Sequence, residues 1–195
     1  MILARTDLNT SDLKLSNAQA GNFVATCTIP ASATLPAIPL RRGWVAVDAK
    51  IRGKSFRFIS THLDGDCLPY TGFQQAQAAE VLGGPAATDL PVVLVGDLNS
   101  PGDGSGVTYN NLIVAGFGDA AVLGGVGGTF TCCQADDILN PVSILDRRID
   151  VVLFRSGFTV LGTEIVGELP SDRTPSGLWP SDHAGVVSRL RLPNP

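Results

Sequence analysis

Several stretches of this chain run apolar, or alternate apolar with polar, and then stop on an ionisable residue. In residues 91–100, PVVLVGDLNS, the aliphatic run Val92 to Val95 lies between Pro91 and Gly96, the pattern of a strand covered on both faces. With a period of two, Val93, Val95, Asp97 and Asn99 point to one side, so a carboxylate and a carboxamide leave the core together. A turn after Gly96 is the competing reading, because Asp, Asn, Ser, Pro and Gly are also turn residues. Upstream, residues 43–51 (GWVAVDAKI) and 55–63 (SFRFISTHL) are strand-like and are joined by Arg52, Gly53 and Lys54, which predicts a β-hairpin. On the second run Phe56, Phe58, Ser60 and His62 share a face, and His62 stands where that face ceases to be apolar. In residues 147–155 (RRIDVVLFR), Ile149, Val151 and Leu153 take one face, and Arg148, Asp150, Val152 and Phe154 the other. Asp150 is thus a carboxylate in a strand otherwise suited to burial, to be met either by Arg147 or Arg148 or by a functional partner.

Helical signals fall between these strands. Residues 72–84 (GFQQAQAAEVLGG) predict a helix capped by Thr71 and stopped by Gly83 and Gly84, with Glu80 facing solvent. Such a helix carries the chain back for another pass across a sheet. Residues 108–117 predict a second, short helix offering Leu112, Ile113 and Phe117 to the core. Residues 1–40 show the least pattern: a strand-like FVATCTI, then a Pro-rich connection with at most an edge strand. Residues 124–141 read as loop with one short strand at TFTCC, residues 156–168 as a strand pair or a long bent strand, and residues 185–192 as the final strand.

Composition then narrows the class. A chain of 195 residues, 44% hydrophobic, suits one domain over residues 1–195 with a substantial core. A net charge of −4 supplies no broad basic surface for nucleic acid, although one or two phosphates can still be met locally by Arg41, Arg42, Arg147, Arg148 or Arg173. No apolar run is long enough for a membrane span and the first residues lack a signal-peptide core, so a soluble chain is expected. The four cysteines, Cys27, Cys67, Cys132 and Cys133, include no Cys-x-x-Cys pair and argue against a zinc ribbon. Their number favours an oxidising, extracytoplasmic compartment. Adjacent α-carbons are closer than disulfides prefer, so buried or free thiols are expected, and a bridge, if one forms, is to run from Cys67 or Cys27 to one of the tandem pair rather than within it. Trp179 is expected as a packed loop anchor, with a recognition residue as the alternative.

The candidate chemistry gathers at His62, Asp97 with Asn99, Asp150, and Asp182 with His183. Together they hold what phosphate-ester hydrolysis requires: hard oxygen ligands for a divalent cation, an imidazole for water, and neutral donors for phosphate oxygens. Carboxylate-rich donors favour Mg²⁺ or Mn²⁺ over zinc. Only two histidines exist, which argues against a histidine-rich binuclear metallophosphoesterase.

STHLDGD, PVVLVGDLNS, RRIDVVLFR and PSDH, in this order, resemble the later motifs of the endonuclease/exonuclease/phosphatase superfamily, over about residues 43–192. The resemblance implies an α+β fold, a two-sheet β-sandwich flanked by helices in four α/β/β/α layers, with the site at one end between the sheets. It further implies that His183 activates water or steadies the phosphorus, that Asp150 orients His183, and that Asp182 binds metal. Asp97 would position the nucleophile or a metal-bound water, and Asn99 and His62 would donate to phosphate. Family members open with a strand carrying an Asn and a later strand ending in a metal-binding Glu, neither of which has a counterpart here. Glu80, Glu164, Glu168 and Asp7 are the acids to hand. The chain therefore reads as N-terminally truncated relative to the family, with a sheet edge uncovered beside the final strand and open to self-association or a partner chain. The expected function is divalent-metal-dependent hydrolysis of a phosphate ester, with nucleic acid one possible substrate. The alternative is a non-catalytic or partner-completed scaffold retaining weak metal or phosphate binding.

Overall fold

The structure is a computed structural model that describes residues 1–65 and 72–192. Its centre is the predicted hairpin, β4 (Gly43–Ile51) and β5 (Lys54–His62), closed by Arg52 and Gly53, both at positive φ (46° and 88°) as a tight two-residue turn requires. Helix α1 (Phe73–Gly83) then crosses over to β6 (Val92–Asp97), which lies parallel to β5, and β8 (Asp150–Arg155) adds antiparallel to β6. With β1 (Leu13–Asn22) beside β4 and the two-residue β7 (Gly118–Asp119) beside β8, the main sheet runs β1-β4-β5-β6-β8-β7. Strands β9 (Thr159–Val166) and β10 (Gly185–Arg191) form a second, antiparallel sheet, and β2 (Cys27–Ile29) with β3 (Ile38–Leu40) a small hairpin. Helices α2 (Val107–Val114) and α3 (Ala120–Leu123) follow β6 and β7. Thr71, the expected cap of α1, lies outside the described residues, as do Asp66 and Cys67; Gly72 at φ 92° stands at the cap position.

The period-two alternation of the central strands divides the core in two. Val92, Leu94, Ile59, Val151 and Leu153 face the helical side, where Ala78, Val81 and Leu112 meet them. Val93, Val152 and Phe154 face the other way, with Phe56, Phe58 and Val95, onto Phe158, Val160, Val186 and Leu190 of the small sheet and its approach. The result is an α+β sandwich: helices α1 and α2, the main sheet, then β9-β10, with α3 contacting β8, β9 and β10. Between the two sheets lies an apolar cavity of about 650 Å³, lined by Phe56, Phe58, Val93, Phe158, Val186 and Leu190 and reaching Asp150. Among the described residues β10 pairs with β9 alone, so its other edge carries no partner strand.

Four expectations are corrected here. Strand β1 was not legible, because as an edge strand of mostly polar and small residues it is exposed along almost its whole length and shows no alternation. Glu80 is not solvent-facing: its carboxylate accepts from the backbone N–H groups of Val24 and Ala25, both at 2.9 Å, and ties the N-terminal segment to α1. Arg148 does not pair with Asp150. It is buried on Asp119, Nη1 to Oδ2 2.7 Å, and the same oxygen accepts from Tyr109 Oη at 2.8 Å. Finally, Cys132 and Cys133 are bonded to each other across a cis peptide, with Cα atoms 3.0 Å apart. Neither sulfur of that pair is left for Cys27, which is itself disulfide-bonded elsewhere, on β2 beside Asp64, so that no described cysteine is a free thiol. Trp179 is the anchor anticipated: it is 1% exposed, and its indole N–H donates to Asn140 O at 2.8 Å.

Candidate active site

Strand register builds the site. In the ladder β5 pairs His62 with Asp97 of β6, and β6 in turn pairs Asp97 with Asp150 of β8, so three ionisable residues share one row at one end of the main sheet. The close parallel pairing of β5 and β6 there depends on Gly96, which sits at φ 139°. A Cβ at that position would lie 1.8 Å from Thr61 O. The fourth part arrives just ahead of β10, where residues 131–134 hold the 182–184 segment: Gln134 N donates to Asp182 O and Ala184 N to Thr131 O, both at 2.8 Å.

Two imidazole–carboxylate pairs result. His183 Nδ1 lies 2.7 Å from Asp150 Oδ2; the carboxylate can only accept, so Nδ1 carries the proton and Nε2 keeps its lone pair. Asp150 is itself seated by Thr131, whose Oγ1 accepts from the Asp150 N–H at 3.1 Å. Burial pulls the His183 pKa down, but the hydrogen bond to Asp150 and the charges of Asp150, Asp97 and Asp182 prevail and leave it above the ordinary imidazole value. Burial raises Asp150 above the usual carboxylate range, against the bonds from His183 and Thr131. In the second pair, His62 Nε2 lies 3.2 Å from Asp97 Oδ2 and Nδ1 lies 3.0 Å from Arg42 Nη1. Arginine only donates, so Nδ1 accepts and the Nε2 proton points to Asp97. Burial raises Asp97, but His62, the Asn99 backbone N–H at 2.7 Å and the nearby His183 charge outweigh it and hold Asp97 below the usual range.

Asn99, at φ 50°, turns its amide back to Leu63 O at 2.9 Å, and the same nitrogen lies 3.3 Å from His62 Nε2. Gln74 of α1 holds the turn by donating to Asn99 O at 2.8 Å. The structure therefore brings His62, Asp97 and Asn99 together on one side, and Asp150 with His183 on the other. Ligand atoms of Asp97, Asp150 and His183 lie within 4.8 Å of one another. Asp182 does not join them: its side chain is exposed and accepts from Ser181 Oγ at 3.1 Å. Two carboxylates and one imidazole, partly buried, suit a hard divalent cation better than a soft one. None of the acids considered as substitutes for the family's Glu belongs to this set; Glu80 is spent on Val24 and Ala25, and Asp7 on Arg5.

Arg42, Gln74, Thr131 and Cys133 complete the surroundings; sequence reasoning offered Arg42 only as a local contact for phosphate, not as the partner of His62, and assigned the other three no place in the site. They come from loops and a helix, where no alternation links them to the strand ends. A second hollow, about 560 Å³, opens over His62 and Asp97 and is lined also by Gly43, Trp44, Ser60 and Thr61.

A sequence model of the endonuclease/exonuclease/phosphatase family matches residues 10–183. Comparison with curated proteins returns no match. Among solved structures, the human Nocturnin catalytic domain with bound sulfate is similar at a TM-score of 0.63 and 16% identity, over 94% of this chain and 61% of that one. The mannosyl-6-phosphatase of Bacteroides thetaiotaomicron is similar at 0.61 and 18% identity, over 94% and 68%. TDP2 of D. rerio, complexed with a single-strand DNA product, is similar at 0.62 and 18% identity, over 94% and 70%. The chain thus spans about two thirds of the length of the structures it resembles. With a match across most of its length and the same fold as these structures, the chain belongs to the endonuclease/exonuclease/phosphatase family.

Proposed function

We propose that the chain hydrolyses a phosphate ester with the help of a divalent cation, Mg²⁺ or Mn²⁺. The observation that carries this reading is the Asp150–His183 pair facing Asp97 across one end of the sheet, with His62 and Asn99 alongside. His183 takes a proton from water at Nε2, while Asp150 fixes the ring by holding the Nδ1 proton and stabilises the imidazolium that forms. The water oxygen bonds to phosphorus as the ester oxygen leaves. Asn99 donates its second amide hydrogen to the phosphate oxygens, where charge develops, and His62 does so once its Nε2 proton turns from Asp97 to the substrate. Asp97 and Asp150 would hold the cation, which supplies positive charge to the phosphate oxygens when bound. Phosphatase and nucleic-acid-bound relatives leave the alcohol portion of the ester open between a sugar and a nucleotide.

A second reading, a partner-completed scaffold without activity of its own, is favoured by the unpartnered edge of β10 and by the absence of a Glu from the described ligand set. Purified protein is to be assayed on p-nitrophenyl phosphate, bis-p-nitrophenyl phosphate and plasmid DNA with Mg²⁺, Mn²⁺ or EDTA. Turnover with metal and none with EDTA is expected. Asp97→Ala should raise the half-saturating metal concentration more than Asp182→Ala, since Asp182 stands outside the clustered ligands. Folded protein that turns over nothing under any metal selects the scaffold.

A further inference from the structure

The tandem cysteines occupy a place that the proposed hydrolysis does not use. Residues 131–133 are clamped from both sides: Thr131 and Cys132 donate to Arg147 O at 2.8 and 3.0 Å, and Cys132 forms a bridge with His183 on its other flank. Cys132 is thereby buried at 1% exposure, and Cys133 is half-buried beside the His183 ring. The Cys133 sulfur lies 3.8 Å from His183 Nε2, the nitrogen that Asp150 leaves free, and 3.6 Å from Arg147 Nη2. Ligand atoms of Cys132, Cys133 and His183 all fall within 4.8 Å of one another.

Two sulfurs and an imidazole nitrogen are the donors that zinc and cadmium select, unlike the Asp150 carboxylate on the far side of the same ring. The ring is also prepared as metal-ligating histidines are, with a carboxylate holding its other nitrogen. Bonded to each other the sulfurs are not thiolates, so the donor set exists only in the reduced protein. We propose that, once reduced, Cys132 and Cys133 join His183 Nε2 in a Cys₂His site for a thiophilic divalent cation such as Zn²⁺ or Cd²⁺. In forming it, the S–S bond takes two electrons and two protons from a dithiol, which leaves as its own disulfide. The two thiols then release two protons as two metal–sulfur bonds and one metal–nitrogen bond form. A cation held there withdraws His183 Nε2 from water. That inhibitory consequence rests on the catalytic role proposed for His183, whereas the binding itself does not.

The test reads binding without activity. The full chain, reduced with a dithiol that is then removed anaerobically, is titrated with Cd²⁺ while the ultraviolet thiolate-to-cadmium charge-transfer band is followed. A saturable band is expected in the reduced protein and none in the oxidised one. It should persist with Cys27→Ser and Cys67→Ser combined, vanish with Cys132→Ser and Cys133→Ser combined, and weaken at least about tenfold in affinity with His183→Ala. No band in the reduced protein, a band that depends on Cys27 and Cys67, or one indifferent to His183→Ala overturns the site. If circular dichroism shows the double Cys132/Cys133 variant unfolded, the other two variants still decide.

Discussion

At the scale of the residue, the site is held up by partners as much as by the groups that face a substrate. Arg148 is the sharpest case of a charge used for structure: its guanidinium is buried on Asp119, which also accepts from Tyr109 Oη and the Ala121 N–H, and it donates to Gly102 O and Gly127 O. Because Arg148 immediately precedes Ile149 and Asp150, this cluster fixes where β8 begins. Replacing Arg148 with Met leaves Asp119 buried and unpaired, and a loss of about 3–5 kcal/mol is expected in urea unfolding. A loss under about 1 kcal/mol would show the Asp119 cluster to be solvated. His62, Asp97 and Asp150 were legible because each is a polar residue interrupting an apolar strand pattern. Their supports were not: Thr131 and Gln74 sit in segments whose composition says nothing of where the chain returns, and Arg42 was legible only as a cation near phosphate, not as the group that fixes His62.

At the scale of the element, β1, β4 and β5 are joined by one charged pair. Asp48 on β4 accepts from Arg57 on β5, at 2.7 and 3.0 Å, and from Asn17 at the bulge in β1, at 2.8 Å. The Arg57 hydrogen bond holds the Asp48 pKa below the usual value despite partial burial. A carboxylate depressed in the folded state contributes stability that is present above its unfolded pKa, about 3.9, and is lost as pH falls through its folded pKa. Asp48→Asn should therefore be less stable than the parent near neutral pH, with the gap closing on acidification below about pH 4. Urea midpoints measured across that range check it, and a gap that stays constant contradicts the assignment. The strands that pack on both faces were legible from their own residues, β6 and β8 as short aliphatic runs and β5 as a strand-like run whose apolar face ends at His62. Strand β1 was not, because an exposed edge leaves no such trace and its pairing is set by β4.

At the scale of the whole molecule, the sandwich brings one end of the main sheet against the segment that leads into β10, and this alone joins His183 to the row made by His62, Asp97 and Asp150. The sequence places these residues far apart, and no local pattern announces that Asp150 and His183 meet. The family resemblance supplied that pairing. The second sheet is two strands among the described residues, with an apolar cavity beneath it and one edge of β10 unpaired. The most direct test of the central claim is turnover of bis-p-nitrophenyl phosphate with Mn²⁺ by the parent protein, by His183→Ala and by Asp150→Asn, each shown to be folded. The expected result is metal-dependent hydrolysis by the parent and a fall of about 10²–10⁴-fold in kcat in both variants. Turnover that survives both substitutions, or that EDTA leaves untouched, would contradict a site built on Asp150 and His183.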